Sequence, residues 1–440
     1  MSLIDELRAS WPPGDPAPSS DHVRPSAAGT RLLDACALPS TAIERHAVAV
    51  ASGPDERLCL ILLVRSGGAW HLARVGDGAS ESLVEALARM EPVSNDFRLR
   101  PLGRPPEARG ERAMGVDQAN DSVVVGEAVV VKWLLRPSPA VHPAPAILAH
   151  LAALGFPNVP RPLGSLTWTA PDGVEILLAL VDGYLPGARD GWDWCVAALL
   201  EHLGHVADGC AGSCGADLAA ELGALTASLH LALATPSPVL PVAVTRAGAS
   251  DVVRWRSAAE LTMREAAALT GGSDGEEVRA RLPRIGAALA ALSDVVGTPV
   301  QRVHGDLHVG QVLRWREGLA VIDFDGNPAA DPAAAALPQP AARDVAGMLC
   351  SLDHVGRIVD EQTGRLHHAD VERWIASSRH RFLSAYRAGL ADAGRTDLLD
   401  ERLLPAFELE QECRELVYAA RFLPRWRYAP MAALRAMLPP

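Results

Sequence analysis

The sequence predicts an α+β protein in which a β-rich half precedes a helical half. Up to about residue 182, short runs of β-branched and aliphatic residues alternate with turn residues, which is typical of strands and hairpins. From about residue 190, apolar residues recur at helical spacing, and no linker-like segment interrupts them. The chain has 440 residues, which suits two or three domains.

Composition narrows the possible functions. The formal net charge is −12, which argues against a nucleic-acid or anionic-membrane partner. No apolar run approaches the roughly 20 residues of a membrane span, and we expect neither a signal peptide nor a membrane anchor. The cysteines number 7, an odd count that suits reduced thiols better than a disulfide framework. We therefore expect a cytoplasmic protein, either a monomer or a weak homodimer.

The chain divides into three predicted parts. Residues 1–95 are expected to form a small N-terminal α/β cap subdomain, with a hairpin from residue 58 to 75 and a helix over residues 81–90. Residues 96–185 are expected to form a β-rich lobe, and residues 186–440 a helical lobe.

Within these lobes the individual elements follow from pattern and turn chemistry. Ser122–Val125 and Ala128–Leu134 are β-branched runs around Gly126-Glu127, a tight hairpin. A second hairpin turns at Pro171-Asp172-Gly173. Helical periodicity predicts helices over 144–154, 216–233, 257–269 and 276–296.

The densest chemical signal is the segment Val303-His304-Gly305-Asp306-Leu307-His308-Val309-Gly310-Gln311. Phosphoryl transfer needs a carboxylate that accepts the proton of the attacking hydroxyl, and an amide oxygen nearby on Mg²⁺. The D-x4-N spacing of kinase catalytic loops provides both. Here Gln311 stands where Asn is usual, which keeps the carbonyl ligand on a longer stem. We predict Asp306 as the catalytic base.

A short hairpin, Leu313–Trp315 with Leu319–Ile322, delivers Asp323-Phe324-Asp325-Gly326. Acidic residues at this point would hold the metal that bridges the β- and γ-phosphates of a nucleotide. Oxygen ligands suit Mg²⁺. Gln311, Asp323 and Asp325 are therefore the predicted metal ligands.

The only lysine is Lys132, because 40 of the 41 basic residues are arginine. It ends Val129-Val130-Val131 in the β-rich half, the position of the strand lysine that grips the α- and β-phosphates of ATP in kinases. The hairpin before it, with Ser122 at the preceding bend, would lie over the phosphates. Asp182 ends the strand whose backbone could bond the adenine. These three residues are the predicted ATP-binding residues.

In these motifs the chain resembles the aminoglycoside phosphotransferase-like kinases, and within them the actinobacterial maltokinase and glucosamine kinase group. Arg343-Asp344-Val345-Ala346-Gly347, Leu229-His230 and Leu185-Pro186-Gly187 before Trp192 fit the same family. The resemblance covers nearly the whole chain. It implies a bilobal protein-kinase-like (aminoglycoside phosphotransferase-like) fold with an N-terminal cap.

Two departures from the family pattern stand out. Maltokinases resemble one another in an Asp-Phe-Glu-Gly-Glu-Pro stretch, where this chain has Asp325 and Asn327 in place of the two glutamates. No Asp or Glu occurs between Lys132 and Asp172, so the helix glutamate that usually pairs with the strand lysine is missing. Lys132 would then pair with another carboxylate, such as Asp323, or rest on phosphate alone.

The C-terminal helical segment carries the predicted acceptor site. Gln411, Glu415, Tyr418 and Phe422 fall on one helix face. With Asp306 and His308 opposite, Glu415 would make the site electronegative, which favours an aminosugar, and Trp426 could stack on its ring. The alternative is an ordinary amphipathic helix with solvated glutamates.

These observations favour an ATP- and Mg²⁺-dependent sugar kinase that phosphorylates glucosamine at O6. Three alternatives remain: a maltokinase making maltose 1-phosphate, an aminoglycoside phosphotransferase, and a non-catalytic pseudokinase regulator. The missing helix glutamate motivates the last of these.

Overall fold

The computed structural model describes residues 2–13, 29–39, 45–94, 96–115, 121–207, 217–327 and 336–439. The chain forms two compact units. The first is built mainly from Met1–Ala152 and Val159–Gly187, and the second mainly from Ala188–Ala330 and Leu337–Pro440. Among the described residues, no helix combines the length and the apolar character that crossing a bilayer requires.

The first unit contains two antiparallel sheets. One has four strands in sequential order: β1 (Arg31–Leu38), β2 (Arg45–Ser52), β3 (Leu58–Ser66) and β4 (Ala69–Leu72). The other has six strands in the order β5-β9-β10-β8-β7-β6, namely β5 (Phe97–Pro101), β6 (Glu111–Ala113), β7 (Asp121–Val125), β8 (Val129–Trp133), β9 (Pro162–Thr169) and β10 (Glu175–Gly183). Its helices are α1 (Leu3–Ala9), α2 (Ala79–Arg89) and α3 (Ala144–Ala153).

The four-stranded sheet is covered on both faces. Helix α1 packs with Leu32, Ile61 and Trp70 on one face. The other face contributes to a larger core shared with α2 and the six-stranded sheet. Strands β2 and β3 are buried at all positions except near their ends, because neither face of the sheet is solvated.

Two buried tryptophans tie the predicted cap to the six-stranded sheet. Trp133 Nε1 donates to Ser80 Oγ at 3.0 Å, and Trp168 Nε1 donates to Asp34 Oδ2 at 2.9 Å. The indole rings fill the shared core while their polar edges find partners. The predicted boundary between residues 95 and 96 therefore runs between two sheets that share one core. That a separate subdomain ends at residue 95 stays a prediction.

The hairpin between β7 and β8 turns where the sequence predicts it. Gly126 and Glu127 adopt φ of 57° and 52°, and Ala128 N–H closes the turn by donating to Val125 O at 3.1 Å. Left-handed backbone at both central positions matches the right-handed twist of the strands. This turn sets the register that places Lys132 opposite Ser122.

The second unit is mainly helical. Its helices are α4 (Gly191–Ala207), α5 (Asp217–Leu233), α6 (Ala249–Leu269), α7 (Gly272–Ala290), α8 (Ala342–Gln362), α9 (His368–Asp392), α10 (Leu404–Arg421) and α11 (Tyr428–Met437). Two short two-stranded antiparallel sheets lie among them: β11 (Val244–Arg246) with β12 (Pro299–Gln301), and β13 (Val312–Trp315) with β14 (Gly318–Val321).

Helix α6 begins earlier than its apolar periodicity indicates, at Ala249 instead of Ser257. Asp251 explains the difference, because its carboxylate accepts the Gly248 N–H at 2.8 Å and caps the first turn. The buried side chains of Val252 and Trp255 stabilise this added segment together with the cap.

Helices α5 and α9 pack closely, and Gly223 permits the contact. A Cβ at this position would lie 2.3 Å from the carbonyl oxygen of Phe382. Because a backbone oxygen cannot move aside as a flexible side chain can, the two helices need glycine here.

We predict that Gly223→Ala lowers the free energy of unfolding by about 1–3 kcal/mol, the usual cost of overpacking. Urea unfolding followed by tryptophan fluorescence measures this change. Gly204→Ala is the matched control, since Gly204 lies exposed in α4 and an added methyl group there would meet open space; it should stabilise by about 0.4–1 kcal/mol. Equal stability of Gly223→Ala and the wild type would contradict the packing argument.

Candidate active site

A buried carboxylate holds the loop that carries Asp306. This loop follows β12 and leads into β13. Asp344, in the first turn of α8, accepts the backbone N–H of His304 at 2.7 Å and of Gly305 at 2.8 Å. His230 of α5 contacts the same carboxylate, with 3.1 Å between Nε2 and Oδ2. Two amides of a tight loop, which would be costly to bury unpaired, are thereby satisfied.

Asp344 remains ionised in this environment. Burial alone would raise its pKa, but the hydrogen bond and the charge of His230 and the loop amide of Gly305 hold the pKa below its ordinary value. His230 is itself positioned by Tyr386 of α9, with 2.7 Å between Nδ1 and the phenol oxygen. Helices α5, α8 and α9 therefore meet at the base of the loop.

Helix α8 supports the loop that carries Asp306 at two more points. Ser351 Oγ accepts the Val309 N–H at 3.1 Å. Gly347 lies so close that a Cβ would come within 2.6 Å of Leu307 O. One face of α8 thus fixes the loop backbone on both sides of Asp306.

Asp306 is half-buried and bonded to Asn327, whose Nδ2 donates to Oδ1 at 2.9 Å. Burial, together with the nearby carboxylates Glu415 and Asp323, raises the pKa of Asp306 to about 7 against the opposing effect of His304. Such a carboxylate is poised to exchange a proton near neutral pH.

His304 joins the two motif loops. Its Nε2 lies 2.8 Å from Ile322 O, immediately before Asp323, and its ring packs against buried Phe324 with centroids 4.9 Å apart. Gly305, with φ of 85°, also comes close to Gly326. These contacts bring Asp306 and Asp323 into one site.

The predicted metal ligands lie beside this base. Gln311 Nε2 is 3.4 Å from Asp323 Oδ2, so the amide and the carboxylate are adjacent. Asp323 is exposed and adopts φ of 66°, a strained conformation for a non-glycine residue that is often found at functional sites. Asp325 lies two residues further along and is half-buried. This set of hard oxygen donors fits Mg²⁺.

The predicted acceptor residues also come together. On α10, Gln411 Nε2 donates to Glu415 Oε1 at 3.0 Å, and Trp426 Nε1 donates to Glu415 Oε2 at 2.9 Å. Glu415 is thus held by two donors from different segments. We call Gln411, Glu415 and Trp426 the acceptor wall.

Trp192 connects the acceptor wall to the catalytic loop. Its ring meets Trp426 edge-on with centroids 5.8 Å apart, and stacks on His308 at the same distance with 29° between planes. His308 Nε2 in turn lies 3.4 Å from Gln311 Nε2. Burial lowers the pKa of His308 to about 4, so the ring is neutral at physiological pH.

The sequence did not identify Trp192 as a site residue. The sequence feature that could have indicated it is the preceding glycine, Gly191. A Cβ at this position would overlap Val309 O, so the chain can approach the catalytic loop this closely only with glycine there. Asn327 was missed as well. It stands where maltokinases have a glutamate, and unlike a carboxylate its amide can donate to Asp306.

One alternative interpretation of α10 is wrong. The glutamates that an amphipathic helix would leave in solvent are buried, because basic side chains neutralise them. Glu408 pairs with Arg379, and Glu410 with Arg343 and Arg414. Tyr418 and Phe422, predicted on the face of Gln411, are 46% and 69% exposed.

The three predicted ATP-binding residues lie in the first unit and share a sheet face. Lys132 of β8 pairs with Ser122 of β7 and with Leu180 of β10, and Asp182 is opposite Val130. Residues opposite each other in antiparallel strands point to the same side. Ser122, Lys132 and Asp182 are half-buried on this face, whereas Val129, Val131 and Trp133 on the other face are buried.

The chain matches a family model described as "Phosphotransferase enzyme family" over residues 111–349. A glucosamine kinase from Streptacidiphilus jiangxiensis is 44% identical over 402 residues, which cover 90% of this chain and 89% of the relative. A glucosamine kinase from Mycolicibacterium smegmatis is 41% identical over 375 residues, covering 84% of this chain and 90% of the relative.

Solved structures give the same result. A glucosamine kinase in complex with glucosamine, ADP and inorganic phosphate superposes with a TM-score of 0.78 at 41% identity, covering 93% of this chain and 94% of that one. A second crystal form of a glucosamine kinase gives a TM-score of 0.81 with the same identity and coverage. The kinase-like fold predicted from the sequence is confirmed, and the chain belongs to the phosphotransferase enzyme family.

Proposed function

We propose that the protein is an ATP- and Mg²⁺-dependent kinase that transfers a phosphoryl group to O6 of glucosamine. The observation that carries this proposal is the pair of carboxylates at the acceptor end: Asp306, and Glu415 held by Gln411 and Trp426. The relatives named glucosamine kinase support it, as does a structure of one of them with glucosamine, ADP and phosphate.

In this proposal Asp306 orients the acceptor hydroxyl and accepts its proton as the oxygen attacks the γ-phosphorus. Asn327 occupies Oδ1, so Oδ2 is the candidate proton acceptor. The raised pKa of Asp306 matches a base that works near neutral pH. The proton leaves the hydroxyl as the new P–O bond forms and the bond to ADP breaks.

Gln311 and Asp323 would hold Mg²⁺, with Asp325 as a further carboxylate in reach of a metal ion. When bound, the ion neutralises charge that develops on the transferred phosphoryl group. Lys132 would contact the α- and β-phosphates, with Ser122 and Asp182 on the same sheet face. Helix α3 contains no acidic residue, so a carboxylate partner of this lysine would have to come from another segment of the chain.

The charge of the acceptor site favours an aminosugar over maltose. Glu415 is close enough to Asp306 to raise its pKa, so two carboxylates act on the same small region. An ammonium between them reduces their repulsion, whereas a neutral sugar does not. A pseudokinase is disfavoured because Asp306, Gln311 and Asp323 are all present and adjacent.

The setting of this enzyme would be the cytoplasm. Five of the described cysteines are buried free thiols, which supports a reducing compartment. The predicted monomer or weak homodimer and the predicted lack of a nucleic-acid partner stay predictions.

We predict that the protein releases ADP from Mg²⁺-ATP with glucosamine, and much less with N-acetylglucosamine, glucose, maltose or kanamycin. Asp306→Asn should lower turnover by about 10²–10⁴-fold, because proton transfer is lost. A coupled ADP assay measures both effects.

The control for this assay is Asp392→Asn, an exposed aspartate at the end of α9, which should retain wild-type turnover. Faster turnover of maltose or kanamycin than of glucosamine would show that glucosamine is not the preferred acceptor. Nucleotide binding without turnover of any acceptor would favour the non-catalytic pseudokinase.

The raised pKa of Asp306 also predicts a stability effect in the ligand-free protein. The pKa of the Asp306 carboxyl is about 7 in the folded protein, and its ordinary value is 3.8. As the pH rises, this carboxyl therefore ionises in the unfolded chain before it ionises in the folded protein. The wild type should therefore lose stability relative to Asp306→Asn as pH rises from about 4 to 7, and no further above that. We expect a relative loss of about 1–2 kcal/mol, less than the full shift implies because the side chain is partly exposed.

Urea unfolding of both proteins across this pH range tests the sign. A difference that does not change with pH would mean that the Asp306 carboxyl titrates at its ordinary pKa.

A further inference from the structure

We propose that His354 is a positioning residue for the acceptor: paired with Glu412, it fixes Trp426, and through Trp426 it sets the place of Glu415 relative to Asp306. This inference rests on the proposed function, since it concerns how the same site binds its acceptor.

The contacts form a continuous chain. His354 of α8 is 2% exposed, and its Nε2 lies 2.9 Å from Glu412 Oε2. Its ring meets the Trp426 indole nearly at right angles, with centroids 5.4 Å apart. The indole then donates to Glu415. No other described aromatic contact joins Trp426 to helix α8.

The surroundings of His354 favour its protonated ring. Burial by itself lowers the pKa of an imidazole, but the charge and hydrogen bond of Glu412, with smaller contributions from Glu415 and Asp353, raise the pKa of His354 to about 9. The perpendicular contact between the two rings restrains the orientation of the Trp426 indole, and Glu412 in turn restrains the imidazole.

Helix α8 connects this contact to the catalytic loop. Asp344, Ser351 and His354 occupy positions i, i+7 and i+10, which lie along one stripe of the helix. The first two hold the backbone of the catalytic loop. The third holds the acceptor wall. A single rigid element thus sets the distance from the catalytic base to the group that recognises the acceptor, over about 15 Å of helix.

The test compares His354→Gln with the wild type. Glutamine can still donate to Glu412 but removes the ring and its charge. We expect KM for glucosamine to rise about 5–20-fold, while kcat and KM for Mg²⁺-ATP change less than twofold. Because His354 acts through Trp426, the effects of His354→Gln and Trp426→Phe should be non-additive: the double variant should bind glucosamine no worse than Trp426→Phe alone.

His368→Gln is the matched control, because it removes another histidine–carboxylate pair of the second unit, with Asp360; its KM for glucosamine should equal that of the wild type. If His354→Gln does not fold, the near-isosteric Glu412→Gln takes its place with the same readouts. An unchanged KM, a fall in kcat alone, additive effects with Trp426→Phe, or failure of both variants to fold would each overturn the positioning role. Lack of glucosamine turnover by the wild type would instead defeat the proposed function.

Discussion

The site depends on one carboxylate that touches no substrate. Asp344 accepts two consecutive backbone amides of the catalytic loop and is held in turn by His230 and Tyr386. Without it, two buried N–H groups would lose their partner, at a cost of about 1–3 kcal/mol each. The position of Asp306 follows from this clamp, because Asp306 is the next residue after Gly305. From there the contacts extend through His304 to Ile322 and Phe324, on either side of Asp323.

That the predicted site residues lie close together could largely be predicted from the sequence, because they are local in the chain. Asp306 and Gln311 belong to one loop, and a short hairpin brings Asp323 back beside them, so spacing alone implies their contact. Helical periodicity likewise placed Gln411 and Glu415 one turn apart. The register of Ser122 and Lys132 follows from the glycine turn at residue 126, whereas Asp182 joins them through the separate pairing of β10 with β8.

The rest could not be predicted because periodicity shows which residues share a face, not what packs against it. Trp192 reaches His308, and His354 reaches Trp426, across more than one helix. Glutamates 408, 410 and 412 suggested a solvated face, since charged residues are rarely buried. Most of their arginine and histidine partners lie on α8 and α9, and one arginine lies one turn further along α10. The sequence pattern of α10 does not reveal the partners that other helices contribute.

In the proposed function, Asp306 on the loop held by Asp344 and Glu415 held by Trp426 and Gln411 together define which hydroxyl reacts. The most direct measurement is the position of the phosphate in the product. Incubation with Mg²⁺-ATP and glucosamine labelled with ¹³C at every carbon, followed by ¹³C and ³¹P NMR, should give a phosphomonoester whose phosphorus couples to C6 and C5. Coupling to the anomeric carbon, or ADP release without a phosphorylated sugar, would contradict the account.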